Sequence, residues 1–546
     1  MPSSATGRWP GCSPLLGPTP HGCRPWRSSA ARTGTASSAE TGTSSRALGS
    51  PATRPPSCFR PSSGSSTAPL AGLGAGRWQV SERQLESVLR RHPHLTPGQR
   101  EMVRRFARSG NSVEVGVGPA GSGKTAVMAV LRELALRTAT PICGAALAGR
   151  AAAGLQAATG IRSSTLARFL GEAREGGLPR HSIVVVDEAG MVGTRTLFQI
   201  CDLMEELQGK LILVGDHRQL AELEAGGLFR ALAHRLPAVE LTENVRQVQP
   251  WERDALAELR HGSVERAVAM YRGQERIRVA STAERTVSRA VEDWYRDVMA
   301  TGDLEGTLLI AQRNQTVEEL NARARDAVAS SGRLRGRPVW VGERAYQAGD
   351  RALCRKNRPG LGVLNGDLGT VVAVDRKRGL LTVCLDRDGE TRTLPASYTT
   401  DHLTYGYALT GHKAQGVTVR RAFTVAEGAP DREWAYVAMS RGRETKTLYL
   451  TRCDPVEECT HLTHRSPDPA RALAPALGRS SAQVVALDGG TRGPQEVDRG
   501  DPRPPRSNPD ARIDWLVRRK ARELARQRLR ERSGLEREPP ALGIGR

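Results

Sequence analysis

Cysteine is scarce in this chain of 546 residues: there are nine, an odd number, and no Cys-x-x-Cys pair. That is far below the ~8–10 % that marks a disulfide scaffold, and it suits a reducing, cytoplasmic setting. Long apolar runs are missing too. No stretch reaches ~18 uncharged apolar residues, so no membrane-spanning helix and no membrane partner are expected. Acidic residues are few against basic ones, 58 to 80, which leaves a net charge of +22. Such an imbalance predicts attraction to polyanions, nucleic acid foremost, although an Arg-rich genome produces it as well. Hydrophobic residues make up 38 %, ordinary for a globular chain once glycine is counted, and the length is a prior of about three to four domains.

Composition divides the chain. Residues 1–77 are rich in Ser, Thr, Pro, Gly and Arg, with Glu40 as the one acid. They show neither helical nor strand periodicity and read as a disordered tail. The acid-poor composition resembles a transit peptide, but frequent Pro and Gly argue against the amphipathic helix such a peptide needs; a start codon upstream of the real one would also yield such a segment. Apolar runs at 113–117, 142–146, 183–186 and 211–214 alternate with helical patterns, which predicts an α/β domain over 78–235 built on a parallel sheet covered on both faces. A second α/β domain is expected from 236–334 and 403–455. Between its parts, residues 335–402 carry short β-branched runs punctuated by Gly349-Asp350, Asn365-Gly366 and Gly379, the pattern of a small antiparallel, barrel-like insertion. Residues 456–546 read as a basic, mostly disordered tail with one Arg-rich helix near 513–532, able to bind phosphates or simply solvated. Cys453, Cys459, His461 and His464 match no common zinc spacing and read as tail residues.

Two motifs carry chemistry. Gly118-Pro119-Ala120-Gly121-Ser122-Gly123-Lys124-Thr125 fits GxxxxGK[ST], follows an apolar strand and opens a helix, which is the context the motif requires. Its glycines let backbone N–H groups wrap phosphates, the helix N-terminus adds a favourable field, Lys124 reaches the β/γ-phosphates and Thr125 holds Mg²⁺. The run at 183–186 ends in Asp187-Glu188. Asp187 is expected to hold Mg²⁺ and Glu188 to activate a water as general base. The cofactors are therefore ATP and Mg²⁺.

From here the order of motifs over roughly 78–455 resembles a superfamily 1 helicase of the RecD-like branch. Closer still, it is similar to the helicase part of MobF-class conjugative relaxases of the TraA/TrwC type. The resemblance implies two RecA-like P-loop NTPase domains and the following roles. Gln99 reads adenine. The segment 144–155, with Arg150, and the segment at Thr165 contact a single strand. Gln219, in Gly215-Asp216-His217-Arg218-Gln219, senses the γ-phosphate and the strand. Arg246 and Arg441 reach the γ-phosphate from the second domain. His412, Lys413, Gln415 and Thr418 contact DNA. It also implies ATP-driven movement on single-stranded DNA, 5′ to 3′, and the insertion lining the strand's exit path.

Two features depart from the family. A MobF relaxase carries a nicking domain with a catalytic Tyr and a three-His metal site, whereas here the first tyrosine is Tyr271 and only His21 precedes His92. A helicase half is expected, with nicking left to a separate relaxase or to the conjugation machinery. RecD-like helicases often place a strand-separating pin ahead of the Asp187 strand, and here only residues 171–182 are available, so translocation is better supported than unwinding. Two other readings stay open: a non-catalytic DNA-binding remnant of a truncated relaxase, and an RNA-directed motor, since such proteins grip mostly backbone and stacked bases.

Overall fold

In the computed structural model, which describes residues 72–219, 227–427, 430–452, 477 and 480, the apolar runs become the centres of two parallel sheets. The first consists of β1 (Val113–Val117), β2 (Ile142–Ala146), β3 (Ser163–Thr165), β4 (Ile183–Val186), β5 (Lys210–Gly215) and β6 (Val239–Glu240), in the order β3-β2-β4-β5-β1-β6. The reason for a continuous apolar strand is visible in β4. Ile183 and Val185 pack with Phe106, Leu131 and Leu134 on one face, while Val184 and Val186 pack with Leu197, Ile200 and Phe229 on the other. Successive side chains point to opposite faces, so a sheet covered on both sides asks for an apolar residue at every position.

The second sheet repeats the scheme. It contains β7 (Ile277–Ala280), β8 (Thr307–Ala311), β16 (Ala408–Thr410), β17 (Val419–Ala426) and β18 (Gly442–Thr451), all parallel, in the order β16-β8-β17-β18-β7. Trp294 and Leu320 cover one face, and Leu256 and Tyr436 cover the other. Between β8 and β16 the chain builds a separate module. It comprises a hairpin of β9 (Arg335–Val341) and β10 (Arg344–Ala348), and an antiparallel sheet of β11 (Arg351–Cys354), β12 (Leu368–Asp375), β13 (Leu380–Leu385), β14 (Thr391–Leu394) and β15 (Leu403–Tyr405), ordered β14-β13-β12-β11-β15. Its own apolar centre includes Tyr346, Val371, Val383 and Leu394.

Three expected boundaries move. Residues 72–77 are not loose tail: Leu73 packs against the first core, Gly74 N–H donates to Asn111 Oδ1, and Arg77 meets Glu205 at 2.8 Å. The first sheet passes residue 235, because Val239 and Glu240 pair with Gly116 and Val117. The inserted module passes residue 402, because β15 pairs antiparallel with β11. In each case the deciding partner is remote in sequence. Beyond 452, Leu477 is buried in the second-sheet core and Ser480 donates to Glu433. The helix expected at 513–532 lies outside the described residues. Among the described residues no helix is long and apolar enough to cross a membrane.

One ion pair pins the helix Pro250–His261 to the second sheet. Lys446 Nζ and Glu252 Oε2 are 2.5 Å apart, with side chains 0 % and 1 % exposed. Removing one member leaves a buried charge uncompensated, which costs about 3–5 kcal/mol. Glu252→Ala should lose about that much in chemical denaturation, and the Glu252→Leu/Lys446→Met double variant much less. Equal losses would show that the pair is not what holds the helix.

Candidate active site

The phosphate loop, residues 118–125, leaves β1 and enters the helix Lys124–Arg137. Gly121 and Gly123 take φ of +84° and +77°, the left-handed region where a Cβ is penalised. Space excludes a side chain as well. A Cβ on Gly121 would lie 2.3 Å from Arg246 Cβ, and one on Gly123 would lie 2.3 Å from Gln99 Nε2. Lys124 Nζ is folded over its own loop, donating to Gly118 O at 2.8 Å and Pro119 O at 3.2 Å. Ser122 Oγ is buried without a partner. Thr125 is half-buried at the start of the helix.

Gln99 is buried against this loop. Its Nε2 donates to Ser122 O at 2.8 Å, while its Oε1 accepts from Thr96 N in a capping box. Each end of the amide keeps one unused donor or acceptor, and the bond to Ser122 O makes the residue a brace of the loop.

The carboxylates follow β4. Asp187 Oδ1 accepts from Glu188 N at 2.9 Å. Burial raises the Asp187 pKa, the adjacent Glu188 raises it further, and Lys124 partly offsets both. Glu188 itself adopts φ +52°, ψ +37°, a backbone state uncommon for a residue with a Cβ and concentrated at functional sites. Its Oε2 faces the second sheet, where Gln415 Nε2 lies 3.4 Å away; the same Gln415 Nε2 is 3.3 Å from Gln219 Oε1. Gln219 in turn is 3.5 Å from Asp216 Oδ2. The expected phosphate sensor, the expected base and a residue expected on DNA therefore share one polar chain.

Asp216 shows what the sequence does not. Its carboxylate pairs with Arg260 at 3.2 Å, both side chains being almost fully buried, and Arg260 also reaches Glu240 at 2.9 Å. Arg260 lies 44 residues away on the helix Pro250–His261, and no motif or spacing distinguishes it from a surface arginine. It belongs to the network beneath Gln219.

Of the two arginines expected from the second half, Arg246 lies against the loop, since a Cβ on Gly121 would be 2.3 Å from its Cβ. Val245 N–H donates to Gly121 O, and Arg246 Nη1 donates to Ser440 O at 3.3 Å. Gln247 Nε2 ties the same segment to Ser440 O and Gly442 O. Arg441 is 2 % exposed. Its guanidinium donates to Val437 O, Ser440 Oγ and, at longer range, Ala414 O and Val417 O. Among the described residues neither Arg246 nor Arg441 has a carboxylate within ion-pair distance. Burial, and then Arg246, push the Arg441 pKa down to about 9, and burial lowers Arg246 likewise. The Glu188 carboxylate acts in the opposite direction on both guanidiniums without pairing with either. Finally, Ala120 N–H in the loop donates to Tyr436 Oη at 3.0 Å.

The expected strand-contacting residues are spread more widely. His412, Lys413 and Thr418 are exposed at or near the short helix Gly411–Ala414. Thr165 caps the helix Leu166–Arg174, accepting from Arg168 N. It borders a cleft of about 1200 Å³ between the β2–β3 edge and the inserted module, lined also by Arg168, Phe169, Asn357 and Arg387. Arg150 Nη1 donates to Gly366 O of the module at 2.7 Å, which uses one of the guanidinium's five donors. Between the helix Leu166–Arg174 and β4 the chain forms no strand.

Gly121→Ala should therefore separate the loop from the Arg246 segment. Affinity for a fluorescent ATP analogue is expected to fall at least ~10-fold, since the substitution combines left-handed backbone strain with a steric clash. Unchanged affinity would show that the contact is not needed to form the site.

A model describing AAA domains matches residues 94–282. The chain is 33 % identical over 461 residues to the conjugal transfer protein TraA of Rhizobium radiobacter, a match covering 81 % of this chain and 40 % of that protein. It is 30 % identical over 383 residues to the RecBCD enzyme subunit RecD of Mycolicibacterium smegmatis, covering 60 % of this chain and 66 % of that one. Among solved structures, Pif1 helicase from Bacteroides in complex with ADP-AlF3 and single-stranded DNA aligns with a TM-score of 0.44 at 20 % identity, over 65 % of this chain and 92 % of that one. The chain thus spans less than half the length of the TraA protein it matches. By family it is a RecD-like superfamily 1 helicase, related to the TraA conjugal transfer proteins.

Proposed function

We propose that this chain is an ATP-driven motor on single-stranded DNA, moving 5′ to 3′ as the helicase part of a conjugative relaxase-type system. The observation that carries the reading is the pair Arg246 and Arg441. Both are desolvated cations that make no ion pair with a carboxylate, and Arg246 lies beside a phosphate loop that itself keeps a buried, unpartnered Ser122 hydroxyl. Two arginines supplied by the second half can stabilise charge on a transferring phosphoryl group, an effect worth ~10³-fold or more in rate, and they tie hydrolysis to the closeness of the two halves.

The residues present fit a magnesium nucleotide. Thr125 and Asp187 offer the hard oxygen donors that Mg²⁺ prefers, and Lys124 and the loop amides offer donors for phosphate. Bound Mg²⁺ would neutralise phosphate charge. Glu188 would orient and deprotonate the attacking water, and Gln415, in contact with both Glu188 and Gln219, would report the second half's position to that water. A strand lying across the cleft beside Thr165 and past the exposed Lys413 would be gripped by both halves. If the grip differs between nucleotide states, each cycle advances the strand. The likeness to TraA supports a role in conjugal DNA transfer.

Lys124→Ala should abolish hydrolysis while single-stranded DNA still binds, read by phosphate release with and without the strand. Hydrolysis retained in that variant would sink the phosphate-site assignment. Glu188→Gln should bind ATP and turn over ~10²-fold more slowly; near-normal turnover would remove Glu188 from the role of base. Matched DNA and RNA oligonucleotides, compared for stimulation, test the choice of strand: equal stimulation would overturn the preference for DNA.

A further inference from the structure

We propose that Tyr436 is a positioning residue that locks the phosphate loop to the arginine-bearing helix of the second half, so that loop geometry and the placement of Arg441 are one unit. This rests on the nucleotide site proposed above but assigns a residue outside its machinery.

Three observations converge. Tyr436 Oη accepts the Ala120 N–H at 3.0 Å, across 316 residues of sequence. Ala120, near the apex of the loop, is 4 % exposed, and its side chain belongs to the apolar cluster of the second sheet, together with Trp434, Tyr436 and Leu448, rather than to either cluster of its own sheet. Tyr436 sits on the helix Arg432–Met439, which runs directly into Ser440 and Arg441, and the Arg441 guanidinium is fastened to Val437 O and Ser440 Oγ at the end of that helix. A shift of the loop peptide at Ala120 is therefore transmitted through one hydrogen bond and a rigid helix to the guanidinium. Tyr436 is buried, and burial raises its pKa, so the hydroxyl stays neutral and available as an acceptor over the working pH range.

The contact is bonded on both sides of the loop. Val245 N–H holds Gly121 O from the Arg246 segment while Tyr436 holds Ala120 N–H from the Arg441 helix. Each arginine thus comes with its own main-chain tether to the loop. Tyr436 supplies neither charge nor a proton to the reaction, and what it fixes is the register between the loop and Arg441.

Tyr436→Phe keeps the buried ring and removes the acceptor. A net neutral hydrogen bond is worth roughly a factor of 5 in an equilibrium. The variant should keep its affinity for a fluorescent ATP analogue within ~2-fold, while kcat of strand-stimulated hydrolysis falls ~5-fold or more. Amide hydrogen exchange in the peptide containing Ala120 should accelerate, and exchange in β4 should not. Wild-type kcat together with unchanged exchange at Ala120 would overturn the proposal, as would equal losses of affinity and turnover, which would mark a general structural role. Should the wild type hydrolyse no ATP, the proposed motor fails while the exchange comparison still decides whether the tether exists. Should Tyr436→Phe melt early, Ala120→Gly provides the second arm. It keeps the N–H and removes the methyl, so exchange at residue 120 should stay slow; fast exchange there would mean that apolar packing, not Tyr436, holds the loop.

Discussion

The phosphate loop is held from outside its own domain. Ala120 donates its N–H to Tyr436 and buries its methyl among residues of the second sheet, and Gly121 accepts from Val245. A loop of this kind must aim its amides at phosphate, so few of them can be spent on hydrogen bonds within the loop to hold its shape. Here the second half supplies the missing restraint. The Val245 contact also brings Arg246 to the loop, and the glycine requirement at 121 follows from that closeness, because a Cβ there would collide with Arg246.

The buried arginines divide by what neutralises them. Arg260 meets two carboxylates, Asp216 and Glu240, and is a structural cation: it fastens the helix Pro250–His261 beneath the first sheet's polar chain. Arg441 meets only carbonyl and hydroxyl oxygens, which orient a guanidinium without cancelling its charge. Desolvating a cation and leaving its charge uncancelled is expensive, and the fold bears that expense beside Arg246, where like charge adds to it. In the proposed motor a bound polyanion would offset that cost. That asymmetry, rather than the number of basic residues in a chain of net charge +22, separates Arg441 from a structural arginine such as Arg260.

What was legible in the sequence has a common physical origin. Strands covered on both faces are largely apolar, so β4, β8 and the body of β5 stand out as short continuous runs, and β1 does so despite its buried Glu114; the chemistry of the loop and of Asp187-Glu188 depends on neighbours in sequence. The resemblance to helicases named Gln219, Arg246 and Arg441 because their order along the chain is distinctive. Arg260, Tyr436 and the pairing of Gln415 with Glu188 were not legible in this way, since each is defined by a partner 44 to 316 residues away and by burial that composition does not reveal. Arg150 illustrates the converse. A basic residue in a strand-contacting segment reads as a phosphate ligand, yet its partner is the Gly366 carbonyl, so it joins the first sheet to the inserted module beside the cleft. The edges of the domains moved for the same reason: β6 and β15 are two- and three-residue strands assigned only by the strand they pair with.

The short helix Gly411–Ala414 gathers these threads. His412 and Lys413 are exposed on it, and Gln415, which closes it, turns inward to Glu188 and Gln219. Four residues is too short for a helix to stand by itself, so its position must be set by what flanks it. Thr410 caps its start from β16, and Ala414 is buried at its end, where its carbonyl receives Arg441. A strand pressing on Lys413 would therefore be felt at once by Gln415 and Arg441, one at the proposed base and one at the proposed phosphate. In the proposed motor, coupling between strand and nucleotide would need no long pathway, only that this turn of helix not move without both.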